Sequence, residues 1–206
     1  MPRVNIVKKA QKDQGQCKCG AEIKRGDGYR WWKFRYGGRR VRCMKPGCTP
    51  RPSDLTQSEF LGQLYDMEDA LQAALDDFRN GTSDPGDCAS ALNDLAQQLR
   101  DLGSECQDKF DNMPEGLQQG DTGQLLETRA QECESKADEL EGAVSEIESV
   151  ELHDDTEKYL ADNPVGREEK ESDEDYQKRV QEEMDEGNQE TRDEAASNAE
   201  VDLSID

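Results

Sequence analysis

The 206-residue chain holds a single histidine, and aromatic residues make up 5% of it. His153 stands in an acidic stretch, the setting of a solvated side chain rather than of a ligand or base. A P-loop, a dinucleotide fingerprint and a Ser/His/Asp set are all missing. Catalysis needs a positioned nucleophile or base in a cleft, so an enzyme is not expected, and neither is a small-molecule substrate. Long apolar runs are missing too: hydrophobic residues are 32% of the chain and mean hydropathy is -1.09. No run approaches the roughly 18 residues that cross a bilayer. The N-terminal MPRVNIVKKAQKDQG has positive charge but no apolar segment behind it, which predicts no secretory signal. The expectation is a soluble protein of the cytoplasm, the host cytoplasm if it is viral, without membrane contact. Carboxylates are abundant, but none follow the spacing of a calcium loop.

What is present is unevenly spread. Residues 1–52 hold 15 Lys or Arg against three acids (Asp13, Glu22, Asp27), a net of +12. The other 11 basic and 45 acidic residues give -34, and the two parts make up the formal -22. Such asymmetry suggests separate partners, or one part masking the other. The stretch GYRWWKFRYGGRRVRC, residues 28–43, concentrates the contrast, with both tryptophans, five of the 11 aromatics and six positive charges.

Composition divides the chain into a basic module (1–52), a helical region (53–151) and an acidic tail (152–206). In the middle region, Thr56-Gln-Ser-Glu59 reads as a capping box. After it, Phe60, Leu64, Met67, Leu71, Ala74 and Phe78 recur at alternating spacings of four and three, and Asn80-Gly81 supplies a stop. Asp84-Pro85 starts a second run through Cys88, Leu92, Leu95, Leu99, Leu102 and Cys106. Beyond the breaker DNMPEGLQQGD, a third run carries Leu126, Ala130, Cys133, Ala137, Leu140, Val144 and Ile147. Three seams with period 3.5 and their own caps predict an antiparallel three-helix bundle or coiled coil, with pairing between chains as the alternative. Cys88, Cys106 and Cys133 fall on the seams and read as small buried hydrophobes. From His153 onward there are 20 acids and six basic residues. Apart from a short helix near Asp173 to Met184, this tail is expected to be disordered. The predicted class is therefore mainly α, with a small N-terminal metal-bound β-hairpin module, the bundle and a disordered acidic tail.

Cys17-Lys-Cys19 and Cys43-Met-Lys-Pro-Gly-Cys48 are two close cysteine pairs. Four thiolates satisfy tetrahedral Zn²⁺, which supplies folding free energy to a segment too small to build its own core. Cys19-Gly20 and Pro46-Gly47 sit where knuckle turns belong. Ordinary thiols, two disulfides or redox chemistry at the CxC pair are the competing readings. Disulfides are disfavoured in a cytosolic setting, and a second matched pair favours metal. The segment resembles zinc-ribbon and treble-clef modules. Its first half, GQCKCGAEIKRGDGYRW, is similar to the opening of the fingers of poly(ADP-ribose) polymerases, which recognise DNA ends and breaks. Cys43 and Cys48 stand where that family has a histidine and a cysteine, so the resemblance implies only the metal role of the cysteines. A small metal finger followed by an acidic helical region also resembles uncharacterised bacteriophage proteins.

Between the knuckles, Gly37-Gly38 reads as a two-residue hairpin turn. That register opposes Phe34 to Val41, Lys33 to Arg42, Arg35 to Arg40 and Trp32 to Cys43. Alternation then puts Trp32, Phe34, Val41 and Cys43 on a core face, and Trp31, Lys33, Arg35, Arg40 and Arg42, with Tyr29 at the end, on the other. Opposed like charges cost some tenths of a kcal/mol per pair, whereas a polyanion gains from them through counterion release. Tyr29 and Trp31 would stack on bases, and Lys8, Lys9, Lys12 and Lys18 would extend the track. Nucleic acid, DNA or RNA, is the expected partner of Tyr29, Trp31, Lys33, Arg35, Arg40 and Arg42, with the helices serving self-association or a protein contact. The alternative is a protein adapter whose zinc module is structural and whose bundle and tail engage the partner.

Overall fold

The computed structural model describes residues 1–168 and 171–205. The chain divides into two compact units, Met1–Asp66 and Met67–Asp206. By residue count the first carries 15 basic and six acidic residues, +9, and the second 11 and 42, -31. Helices dominate, and a small antiparallel sheet occupies the N-terminal unit.

In that unit β1 (Asn5–Val7), β4 (Tyr29–Lys33) and β5 (Arg39–Cys43) form a sheet in the order β1-β4-β5, and β2 (Gly15–Gln16) pairs with β3 (Glu22–Ile23) in a separate hairpin. The sheet has two covered faces. Ala10, Cys17, Ile23, Tyr29 and Cys43 are buried together on one, with Trp31 and Val41 packed against them. On the other lies Trp32, fully buried, whose indole N–H donates to the Asp54 carbonyl (3.1 Å) in the 3₁₀ turn Pro52–Leu55.

The β4–β5 register differs from the one the glycine pair predicts. Tyr29 faces Cys43, Arg30 faces Arg42, Trp31 faces Val41, Trp32 faces Arg40 and Lys33 faces Arg39. The connection is the five residues 34–38, not two. Only Gly37 takes positive φ (155°), and Gln57 ties the loop down by donating to the Tyr36 carbonyl (2.6 Å). An odd-numbered slip turns one strand over relative to its partner. Trp32 therefore lies opposite the face of Cys43 rather than on it.

In the second unit the three seams are helical. α1 (Glu59–Arg79) spans the boundary between units, and α2 (Pro85–Asp111), a one-turn α3 (Glu115–Gln118) and α4 (Asp121–Glu148) follow. α1 starts later than the capping box predicts. The Ser58 hydroxyl accepts from Leu61 N–H (3.3 Å) and caps the helix, while Thr56 accepts from Ser58 N–H (3.1 Å) and turns the chain into it. Leu75, fully buried, takes the core place assigned to the half-buried Ala74. Asp84 caps α2 as expected, accepting from Asp87 N–H.

α2 and α4 run antiparallel, since Gly103 meets Cys133 while the earlier Arg100 reaches Glu134, Asp138 and Glu141. The small residues Gly103 on α2 and Ala130 on α4 let the backbones come together, while Gly123 makes room for the Gln118 backbone of α3. A Cβ at Gly103 would stand 3.0 Å from the Cys133 Cβ and 3.2 Å from the Ala130 carbonyl oxygen.

The acidic tail is the second correction. It forms α5 (Thr156–Asp162) and a long α6 (Asp173–Asn198), and Val180, Met184, Ala196, Ala199, Leu203 and Ile205 are buried. Ser172 caps α6 by accepting from Asp175 N–H (3.2 Å), and three acids in its first turn complement the positive end of the helix dipole. Lys178–Glu182 and Arg179–Glu183 pair one turn apart. Arg192 donates to the carbonyls of Phe78 and Ser83 (both 3.1 Å), satisfying acceptors at the end of α1. Among the described residues no helix is long and apolar enough to cross a membrane.

Replacing Gly103 by Val should destabilise the helical unit by about 1–3 kcal/mol through overpacking. Gly142→Ala, at an open position of α4 where a Cβ meets nothing within 4 Å, should instead stabilise it by roughly 0.5–1 kcal/mol. Denaturant unfolding followed by far-UV circular dichroism measures both. A neutral Gly103→Val would contradict the close α2–α4 approach.

Candidate metal centre and basic cleft

Two short turns bring the cysteine pairs together. Cys17 and Cys19 sit at the tip of the β2–β3 hairpin, where Cys17 N–H donates to the Ala21 carbonyl (2.8 Å) and Gly20 N–H to that of Cys17 (2.9 Å). Cys43 ends β5, and the following turn closes with Cys48 N–H donating to the Lys45 carbonyl (3.1 Å). Gly20 and Gly47 have φ of 83° and 78°, a region that costs other residues strain. Both knuckles thus lie where the sequence puts them.

The four sulfurs lie within 4.8 Å of one another. Cys19 and Cys43 are 3.6 Å apart, close to the edge of about 3.8 Å in a tetrahedron with metal–sulfur bonds near 2.3 Å. That is far beyond the roughly 2.05 Å of a disulfide. Cys17 and Cys43 are buried, Cys48 is half-buried and Cys19 is exposed, so an ion would be shielded yet reachable from one side. Burial raises the Cys17 thiol, but the backbone N–H groups of Cys19 and Cys43 and the neighbouring thiols bring it down to about 6. Hydrogen bonding with Cys19 and Cys43 pushes Cys48 up to about 12. One proton leaves the set readily and another is held, because several thiolates cannot share so small a volume unaided. A cation resolves that conflict, and the donor set fits a structural metal ion.

Cys88, Cys106 and Cys133 are buried in the helical unit, and burial pushes all three thiols up, Cys133 to about 12. They are inert apolar fillers.

The residues expected to share a nucleic-acid face divide between the two faces of the sheet. Tyr29, Trp31 and Lys33 lie on the cysteine side, Arg40 and Arg42 on the Trp32 side, and Arg35 in the connecting loop. Tyr29 is 6% exposed. Arg42 is likewise interior: its guanidinium lies over the Trp32 ring and pairs with the Asp54 carboxylate (2.5 Å). Lys33, Arg35 and Arg40 are exposed, and Arg40 lies over the Phe34 ring.

A different basic feature emerges on the cysteine side. Lys9, Lys12, Gln11, Gln14, Tyr29 and Arg39 line an open cleft of about 440 Å³ that no carboxylate borders. Among the described residues, none of Lys9, Lys12 and Arg39 has a carboxylate partner. The nearby acids serve elsewhere: Asp13 and Asp27 accept from the backbone N–H groups of Arg25 and Lys24 (both 2.8 Å), and Glu22 pairs with Lys24. Arg39 is the residue that the two-residue turn obscures. Its even spacing from Val41 and Cys43 places it on the metal face whatever the turn.

No protein-family model, curated protein or solved structure matches this chain, so the resemblance to polymerase-type fingers and to phage proteins gains no support.

Asp54 ties the metal knuckle to the opposite face. It accepts from Arg42 and from Arg51 N–H (3.2 Å), and Lys18, between Cys17 and Cys19, lies 3.7 Å away. Burial raises its carboxyl, but Arg42, Arg51 N–H and Lys18 bring it below the ordinary carboxylate value. A depressed folded-state pKa means stabilisation present above the ordinary value near 3.8 and lost as pH falls through the folded one. Asp54→Ala should cost the N-terminal unit about 1–3 kcal/mol and weaken its dependence on pH below 4. Both tryptophans lie in that unit, so their fluorescence during denaturation reads it alone. An unchanged midpoint would contradict the role of this pair.

Proposed function

We propose that this chain is a non-enzymatic, zinc-stabilised nucleic-acid-binding protein. Its contact surface is the metal-bearing face of the N-terminal unit. Zinc is the ion favoured by an all-thiolate set of four at this spacing. Its task is structural, joining two knuckles in a unit whose buried core is small. The observation carrying the reading is the carboxylate-free cleft of Lys9, Lys12 and Arg39, in a chain whose second unit totals -31. A polyanion gains from this local surplus by releasing condensed counterions, and the acidic helical unit repels it, which restricts contact to one surface. Lys33, on the same side of the sheet, adds exposed charge beyond the cleft. The helical unit then serves a protein partner or a second copy, and the exposed Leu117 and Leu125 near the α3–α4 turn favour that role.

With the phosphates at Lys9 and Lys12 neutralised, the affinity of the zinc-loaded protein for an oligonucleotide should fall roughly 7- to 12-fold between about 50 and 200 mM salt. Lys9→Glu with Lys12→Glu should abolish binding, while Lys24→Glu, outside the cleft, should affect it much less. Fluorescence anisotropy measures all three. Absence of binding at low salt, or indifference to the double reversal, would refute the proposal.

A further inference from the structure

The cleft has a flat cationic surface as well as charge. Arg39 is held on two sides: one Nη donates to Gln14 Oε1 (2.9 Å) and the other to the Tyr29 hydroxyl (2.8 Å). The guanidinium lies over the Trp31 ring at 4.7 Å and the Tyr29 ring at 5.3 Å from their centroids. Two aromatic rings thus lie against the guanidinium, and two of its N–H edges are engaged. The residue as a whole is exposed and borders the cleft. A guanidinium committed in this way is poorly placed to grip a phosphate as a fork. Its free surface is a planar cation whose rotamer freedom is already lost, so a second planar ring can stack on it at little ordering cost.

From this arrangement we infer that the cleft takes unpaired nucleotides, with a nucleobase stacked on the outer face of the Arg39 guanidinium and Lys9 and Lys12 holding the flanking phosphates. The inference rests on the nucleic-acid reading and specifies it. In a duplex the base faces are covered by their neighbours, whereas single strands offer them, and stacking on aromatic or guanidinium planes is how such strands are held. Tyr29 and Trp31, the sequence's own candidates for stacking, act one layer below: they support Arg39 rather than meet the base.

The test compares four 12-nucleotide probes against the full-length, zinc-loaded chain: a single strand in deoxyribose form, the same in ribose form, the corresponding duplex, and a strand lacking bases. Base-bearing single strands should bind roughly tenfold tighter than both the abasic strand and the duplex, and should alter the tryptophan emission, since Trp31 lies beneath Arg39. Arg39→Lys keeps the charge but removes the plane. It should erase the tenfold preference while leaving salt-dependent binding to the abasic strand, with zinc content unchanged as evidence of folding. Equal binding of abasic and base-bearing strands, or a preference that survives Arg39→Lys, would overturn the stacking platform and leave the polyanion reading intact. Failure of every probe to bind would overturn both.

Discussion

Convergence of four thiol sulfurs within 4.8 Å is the constraint on which the N-terminal unit depends. The unit has one short three-stranded sheet, one two-residue-per-strand hairpin and few apolar side chains. Bringing Cys17 and Cys19 at a hairpin tip against Cys43 at a strand end closes loops that burial alone would hold weakly. Cys43 N–H donates to Cys17 Sγ (3.3 Å), so the cluster also fixes which residue of β5 sits beside the first knuckle. Tyr29 faces Cys43, and the other β4–β5 pairs share that register. That register also sets Arg39 over Trp31 and Tyr29.

The same register disposes of charge economically. Six positive charges lie within residues 28–43, and a small sheet must find positions for all of them. Arg42 goes inward, where Asp54 and the Trp32 ring receive it. Arg30 donates to the Cys43 carbonyl (3.2 Å), and Arg39 is stacked. Lys33, Arg35 and Arg40 face solvent. Half of the ribbon's charge is therefore structural, and the cleft draws its field from Lys9 and Lys12, contributed by the segment before β2. In the helical unit carboxylates take the corresponding role: Glu134, Asp138 and Glu141 surround Arg100 between α2 and α4, and Glu171 accepts from Arg179, which lowers its carboxyl to about 2.

Much of this was legible from residue spacing. Cysteine pairs with adjacent glycines announced the four-sulfur cluster that could hold a metal, because knuckle turns of this spacing leave few alternatives. The heptad-like seams announced three helices, since burial of one face demands that period. Two features escaped. The hairpin register was misread because Gly37-Gly38 matches a tight turn locally, while the winning constraints, the cysteine cluster and the Gln57 contact to Tyr36, are distant in sequence. α6 escaped in its reach beyond Met184, where the short helix expected from the sequence ends, because its buried positions there are alanines, which carry little hydropathy, amid carboxylates that suggest self-repulsion. Its stability comes from a serine cap, pairs one turn apart and side-chain bonds to the end of α1, none of which raises a periodic apolar signal.

If the cluster is the organising constraint, the ion must be bound by sulfur alone. X-ray absorption at the zinc edge on the purified full-length protein examines this directly. The account predicts one zinc per chain with four sulfur neighbours at about 2.3 Å and no nitrogen or oxygen ligand. A chain that folds with native tryptophan emission yet holds no zinc, or a zinc shell containing nitrogen or oxygen, would contradict it.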